Sequence, residues 1–474
     1  RDLARSEDRA QSTGAFVSTA GLHLNDAALA LAIAGELHSV RPSIIHADPA
    51  DARRFGTDAM ATARRTPRAV SADHWSLLGT ASPASPAMAL TRARAELRGR
   101  LAEANVDREA AVQVAVPPAL PVAALAPLLG ALRADGITVG GFHDAASLTV
   151  AALGLQRSTL VVQLGQQHVA AARVMVESGE ARTRALAVRR GSGAAALQQA
   201  WLQLASEAMV LRTRFDPLHD ATSEQQLFDL LPQAWASATA TGSATIELPA
   251  AGEPRKISLA AEQFAHRAQS IYRDLLAALQ EVRPVGAVDV LLDRALLELP
   301  GLRAKLDELR GCRVLTMSPG VAARAASLQQ TMAAADGSVT LQRGHALWST
   351  PLESPLELPR SDGTIAAQSP THLLWEGRVV SLPRGRPIEV GREVDSAGVQ
   401  VGEGVAGVSR LHCSLQRDER GVTLQDHSRY GTWLNDQRVV GRVNVLAGDR
   451  MRLGDPGIEF GFVAVGEADG PSQG

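Results

Sequence analysis

Gly391-Arg392, then Ser409-Arg410-Leu411-His412, then Asp426-His427-Ser428-Arg429-Tyr430-Gly431-Thr432-Trp433-Leu434-Asn435 follow one another near the end of the chain. Short runs of β character separate the three pieces. From Thr371 onward the texture is alternating apolar and polar residues punctuated by glycine, which predicts a small all-β domain over residues 371–465. Arg392 stands at the end of the apolar strand Ile388-Glu389-Val390-Gly391, while Ser409 and Arg410 add a hydroxyl and a second cation. An arginine, a hydroxyl and loop backbone N–H groups are what a phosphorylated threonine requires. That group carries close to two negative charges and three acceptor oxygens.

The order and spacing of these pieces resemble the forkhead-associated (FHA) domain, a β-sandwich whose loops bind phosphothreonine peptides, one of the recurring modes of peptide recognition. The resemblance implies that Arg392 and Ser409 bind the phosphate, with Arg410 beside them as a further charge. It also implies that His412 braces the binding loops without touching ligand. Gly391, Gly431, Thr432 and Asn435 complete the structural motif, and Gly448-Asp449 and Leu453-Gly454 follow in family order. One position departs. The family asparagine that holds the peptide backbone, just before the Gly-Thr pair, is Tyr430 here. A phenol cannot present an amide's paired donor and acceptor, so peptide affinity or register is affected there. Tyr430 and Arg429 could instead form a different side-chain pocket.

Upstream, residues 343–370 carry the Pro- and Ser-rich composition of a semi-rigid, solvated linker. A flexible coil of that length would span roughly 30 Å. Before it, residues 20–335 alternate strands with helices and predict an α/β domain whose sheet is at least partly parallel. Expected strands include Leu22–Leu24, Ala28–Ile33, Gln113–Pro118, Ile137–Val139, Thr159–Leu164, His168–Val176, Val288–Leu292 and Arg313–Leu315. Expected helices include Pro121–Asp135, Asp144–Leu153, Ala261–Val282, Gly301–Leu309 and Val321–Gln330, with a broken helical region from Gly191 to Trp235 and a hairpin over Ala244–Leu259.

This order resembles the actin, sugar-kinase and heat-shock-chaperone ATPase superfamily, an α/β actin-like fold built on a ribonuclease H-type repeat. In that fold two hairpins, each with an Asp followed by glycines, hold metal and phosphates, and a third glycine cluster covers the adenosine. Here His23 stands for the first Asp, Asn25 for a glycine and Gln163 for the second Asp, while Gly165 remains. Asp293-Arg294 replace the paired adenosine glycines, ahead of a retained Leu299-Pro300-Gly301-Leu302. His143-Asp144-Ala145-Ala146-Ser147 with Gly154 is similar to the connecting helix, and Val321–Ser327 to the final helix. Neutral His and Gln bring no negative charge to a Mg²⁺-nucleotide site, which favours carboxylate oxygens. Asp26 is the one carboxylate near the first turn, and a shifted register could recruit it.

The remaining composition narrows the class. Lys and Arg total 48 against 50 Asp and Glu, so no global field recruits nucleic acid or an anionic membrane. Cys312 and Cys413 fall in different predicted domains, which argues for a reducing compartment over a disulfide framework. No run approaches the ~20 apolar residues of a membrane span, and Arg1-Asp2-Leu3-Ala4-Arg5 lacks the order of a signal peptide. The twelve histidines show no metal-ligand spacing. Gly191-Ser192-Gly193 reads as a helix-entry turn, since a nucleophile elbow would need Gly-x-Ser-x-Gly. The expected protein is a cytoplasmic, bacterial-type adaptor with no catalytic residues, metal or cofactor: a phosphothreonine reader tethered to an inactive actin-like pseudo-ATPase. The alternative is an ATP-dependent chaperone-like enzyme that its FHA domain targets to phosphoproteins.

Overall fold

The computed structural model describes residues 19–46, 55–78, 85–106, 110–249, 254–284, 286–309, 311–330, 338–359, 369–375, 378–402, 407–419, 421–435, 437–447, 449–455 and 457–464. Residues 1–5, the expected domain limits at 335 and 465, residues 360–368 of the expected linker, and Gly448 lie outside them.

The first sheet contains β1 (Ala20–His23), β2 (Ala28–Ile33) and β3 (Glu36–Pro42). The minor pair β4 (Ile45–His46) and β5 (Val70–Ser71) follows, then β6 (Val112–Val116) and β7 (Val139–Asp144). The order is β3-β2-β1-β6-β7, with β1, β2 and β3 antiparallel and β1, β6 and β7 parallel. The second sheet takes β8 (Thr159–Leu164), β9 (His168–Glu177) and β10 (Glu180–Arg190). After the hairpin β11 (Ser243–Leu248) and β12 (Arg255–Ala260), it adds β13 (Val288–Asp293) and β14 (Cys312–Met317). Its order, β10-β9-β8-β13-β14, repeats the first sheet's order and strand senses. Helix Leu125–Ala134 joins β6 to β7 as helix Leu302–Asp307 joins β13 to β14. One supersecondary unit therefore occurs twice.

The parallel strands β6, β7 and β13 are buried along nearly their whole length, the polar Gln113, His143 and Asp289 included. The repeats are laced together by exchanged helices. Helix Ala145–Ala152, which follows the first repeat, packs through Ala146 and Val150 on Val161, Ala172 and Val174 of the second sheet. Helix Val321–Ser327, which follows the second repeat, sets Ala323 against Ala30 and Ala32 of the first. The two helices meet through Ala145, Leu148 and Ala152 on one side and Ala322, Ala325 and Ala326 on the other.

Several boundaries differ from the sequence expectation. The strand expected at Ile137–Val139 runs from Val139 to Asp144, so His143 is a strand residue and Asp144 is the N-cap, accepting from Ser147 N at 2.8 Å. The helix expected over Ala261–Val282 is two, Ala261–Arg267 and Gln269–Val282, and the one expected to reach Gln330 ends at Ser327. The helical region after Gly193 is Ala194–Thr213 and Ala221–Thr241. The elements not anticipated include the outer strands β3 and β10 and helix Ser85–Glu103. β3 and much of β10 face solvent with charged residues, so neither displays an apolar period. The helix buries Glu96 and Arg100 alongside Ala89, Ala93 and Leu97, which breaks its apolar stripe.

The expected linker is corrected over residues 344–358. β15 (Leu341–Gln342) extends the first sheet beside β7, β16 (Gly344–Ala346) pairs with β10, and β17 (Leu356–Glu357) pairs with β14. Between them, Trp348 N donates to Ala151 O (3.0 Å) and Leu352 N to Ala152 O (2.8 Å). The segment is a strap across both sheets. Its polar composition hid that it supplies edge strands, whose outward groups are solvated.

From His372 the chain forms two antiparallel-rich sheets of six and five strands around a core that includes Leu373, Val390, Leu415, Leu424, Leu453 and Phe460. Cys413 lies in this core and Cys312 in another, and no disulfide joins them. No helix among the described residues is long and apolar enough to cross a membrane.

Candidate functional site

The loops after strands Ile388–Gly391 and Gly421–Asp426, and the loop before Cys413–Asp418, converge at one end of this sandwich. Gly391 makes the convergence possible. A Cβ there would stand 1.9 Å from Arg410 O, so only glycine lets the first loop lie on the second. With that contact closed, Arg392 N donates to Ser409 O at 3.1 Å and Glu393 N to Arg410 O at 3.0 Å. Arg392 is thereby fixed beside Ser409. Its guanidinium is half-buried, and its Nε has no acceptor among the described residues.

His412 is fully buried and ties this loop pair to the third. Its Nδ1 accepts from Ser409 N (2.9 Å), so the ring proton sits on Nε2 and donates to Gly431 O (2.9 Å). Burial, against the opposing pull of the Gly431 contact and Asp426, holds its pKa below the usual histidine value, so the ring is neutral. Ser409 Oγ accepts from Arg429 N at 3.1 Å. The hydroxyl proton is thus left to donate elsewhere.

The third loop is shaped by Asp426, to which the sequence reading gave no role. Its Oδ1 accepts from Ser428 N (3.0 Å) and Thr432 Oγ1 (2.7 Å), while Ser428 Oγ accepts from Gly431 N (2.7 Å). The Asp-x-Ser order is the local signal that could have shown it, since Asp side chains close turns onto backbone two residues ahead. Asn435 takes a left-handed φ of 50°. It donates through Nδ2 to Asp449 Oδ1 (2.8 Å) and accepts from Arg450 N (3.0 Å). Arg410, Arg429 and Tyr430 are exposed at the rim, Arg410 pairing loosely with Glu393 (3.5 Å) and Tyr430 being 57% exposed. The structure therefore gathers Arg392, Ser409, Arg410, Arg429 and Tyr430 around one surface, with Gly391, His412, Gly431, Thr432 and Asn435 as the frame.

A second region lies between the repeats. His23, Asn25, Gln163 and Asp293 line a single cavity of about 340 Å³. Arg294 is exposed and absent from its described walls. Gly165 serves another contact. A Cβ there would lie 2.5 Å from Asp26 Oδ1, and that carboxylate oxygen accepts from Gln166 N at 2.9 Å. The first turn thus places its buried Asp26 on the backbone donor of the second. Asp26 Oδ2 is 3.7 Å from His168 Nδ1, a residue the sequence reading did not single out. Burial pushes His23 down to about 4, so it is neutral near pH 7, and burial pushes the Asp293 carboxyl up.

The FHA domain family model matches residues 388–454, which include all three converging loops. This C-terminal part of the chain is an FHA domain, and domains of that class bind phosphothreonine-containing proteins. No curated protein matches the chain.

Proposed function

We propose that this protein is a phosphothreonine-peptide-binding adaptor whose upstream repeats form a catalytically inactive, actin-like scaffold, acting in signalling or in assembly of a protein machine. The observation that carries this reading is the Arg392 side chain, held half-buried beside Ser409 with Nε lacking an acceptor among the described residues. A positioned, desolvated arginine with a hydroxyl proton next to it suits a phosphate dianion. The test is a titration of the full chain with fluorescent phosphothreonine peptides before and after phosphatase treatment. Binding that survives phosphatase unchanged would overturn phosphate recognition.

Tyr430 sets a second expectation. An amide at this position presents a donor and an acceptor to a peptide backbone, where the phenol presents one group. Tyr430→Asn is expected to tighten peptide binding about fivefold, the effect of roughly 1 kcal/mol from one hydrogen bond. Equal affinities in anisotropy titrations would put Tyr430 outside the contact.

The paired order of the two upstream sheets, with His23 and Gln163 at corresponding strand ends, supports the actin-like reading. The 340 Å³ cavity between them favours, as a second reading, an ATP-dependent chaperone-like enzyme. The two differ in a thermal shift, because a ligand that binds only the folded state stabilises by RT ln(1 + [L]/Kd). Saturating Mg-ATP is expected to leave the melting temperature unchanged and to release no phosphate. A rise of several degrees with phosphate release would favour the enzyme.

A further inference from the structure

The cavity between the repeats is a built pocket whose chemistry differs from that of a nucleotide site. Its volume, about 340 Å³, falls in the range of small-molecule sites. Ala30, Ala146, Val161, Ala172, Met317 and Val321 contribute apolar wall from both sheets and both exchanged helices. Polar groups gather at the strand ends, His23, Asn25, Gln163 and Asp293, with Thr149 on helix Ala145–Ala152. The described lining contains no lysine or arginine, and its one charged residue is the Asp293 carboxylate.

A Mg²⁺-nucleotide does not fit this set. The anion would enter a pocket without a cation and with an acid in its wall, at a cost no contact offsets. The backbone donor of the second turn, Gln166 N, is already taken by Asp26 Oδ1 at 2.9 Å. Gly165 admits that carboxylate and so leaves no room there for a phosphate oxygen. His23 is neutral near pH 7, while Asn25 spends its Oδ1 on Ala27 N at 3.1 Å. Gln163 differs. Its Nε2 is buried and has no acceptor among the described residues.

We infer that this cavity binds an uncharged, largely apolar small molecule. The alanine-rich walls accept its surface without desolvating a charge. This inference is independent of phosphate recognition by the C-terminal loops.

The test uses the full chain and Nile red, an uncharged, mostly apolar dye with a carbonyl acceptor. Saturable binding of one equivalent with blue-shifted emission is expected, undisturbed by excess Mg-ATP. Ala172→Phe and, from the helix packed beside it, Ala146→Met should each weaken dye binding tenfold or more. Far-ultraviolet circular dichroism and the melting curve identify the variant that remains folded, and one folded variant is sufficient. The inference is overturned by absence of dye binding, by displacement of the dye with Mg-ATP, or by unchanged affinity in a folded, cavity-filled variant.

Discussion

Arg392→Ala should abolish capture of phosphothreonine peptides at concentrations that saturate the wild type. The wild-type guanidinium is already positioned, since Arg392 N donates to Ser409 O and Gly391 permits that approach. Its Nε is buried and has no acceptor among the described residues, so a bound phosphate would offer the partner it lacks. A charge-assisted contact of this type contributes about 1.5–3 kcal/mol, equivalent to roughly a ten- to hundredfold weaker Kd on its removal. Arg392→Lys should fall between wild type and alanine, because an ammonium keeps the charge but not the planar fork. Ser409→Ala isolates the hydroxyl, whose oxygen accepts from Arg429 N and whose proton is available to phosphate. Anisotropy titrations at one fixed ionic strength measure all three. Equal affinity of wild type and Arg392→Ala for a peptide that phosphatase abolishes would move the phosphate site away from this residue.

Glu96→Ala should destabilise the first repeat more than any substitution in the binding loops. Glu96 is fully buried on helix Ser85–Glu103 and gathers four donors. Its Oε2 accepts from Ser43 Oγ (2.7 Å), His74 Nε2 (2.8 Å) and Trp75 Nε1 (3.1 Å), and its Oε1 from Arg100 (3.3 Å). Removing the carboxylate leaves the buried Arg100 without its counter-charge and several donors unsatisfied, a loss on the order of 3–5 kcal/mol. In a domain of this size that corresponds to a melting shift on the order of 10 °C.

The same residue gives a pH dependence of defined sign. Burial alone would push the Glu96 carboxyl up, but the His74 and Ser43 contacts and the Arg100 charge outweigh it and hold the pKa below the ordinary glutamate value. A carboxyl depressed in the folded state contributes stability above its unfolded pKa and loses it as pH falls through the folded one. Wild type should therefore lose stability more steeply in acid than Glu96→Gln. Calorimetric melts across that range test it, and parallel pH profiles would remove Glu96 as the responsible group.

The two regions differ in how far they could be read along the chain. In the C-terminal domain the chemistry lies in short loops between short strands, so Arg392, Ser409, His412 and Gly431 stand close in sequence and keep their spacing as they fold. The frame was legible for the same reason, apart from Asp426, Ser428 and Asp449, whose work is done through side-chain contacts to turn backbone. In the upstream repeats the parallel strands β8, β13 and β14 were equally legible from their apolar residues, whereas β7, expected at Ile137–Val139, carries Gly, His and Asp and was placed too early. β3, β10 and the strap were not, because edge strands face water and carry polar residues that imitate a coil.

Local pattern thus establishes the C-terminal sandwich, the loops that carry Arg392 and Ser409, and the neutral side chains of His23 and Gln163 at the strand ends. All of these are properties of residues and near neighbours. Tertiary structure decided that Asp26 caps the turn at Gln166, 140 residues away, and that residues 344–358 supply both edge strands of the second sheet. It also decided that an alanine-rich cavity opens where the repeats meet. Those features arise from contacts between segments whose separation along the chain carries no periodic signal, and they exist only once the two sheets have been brought face to face.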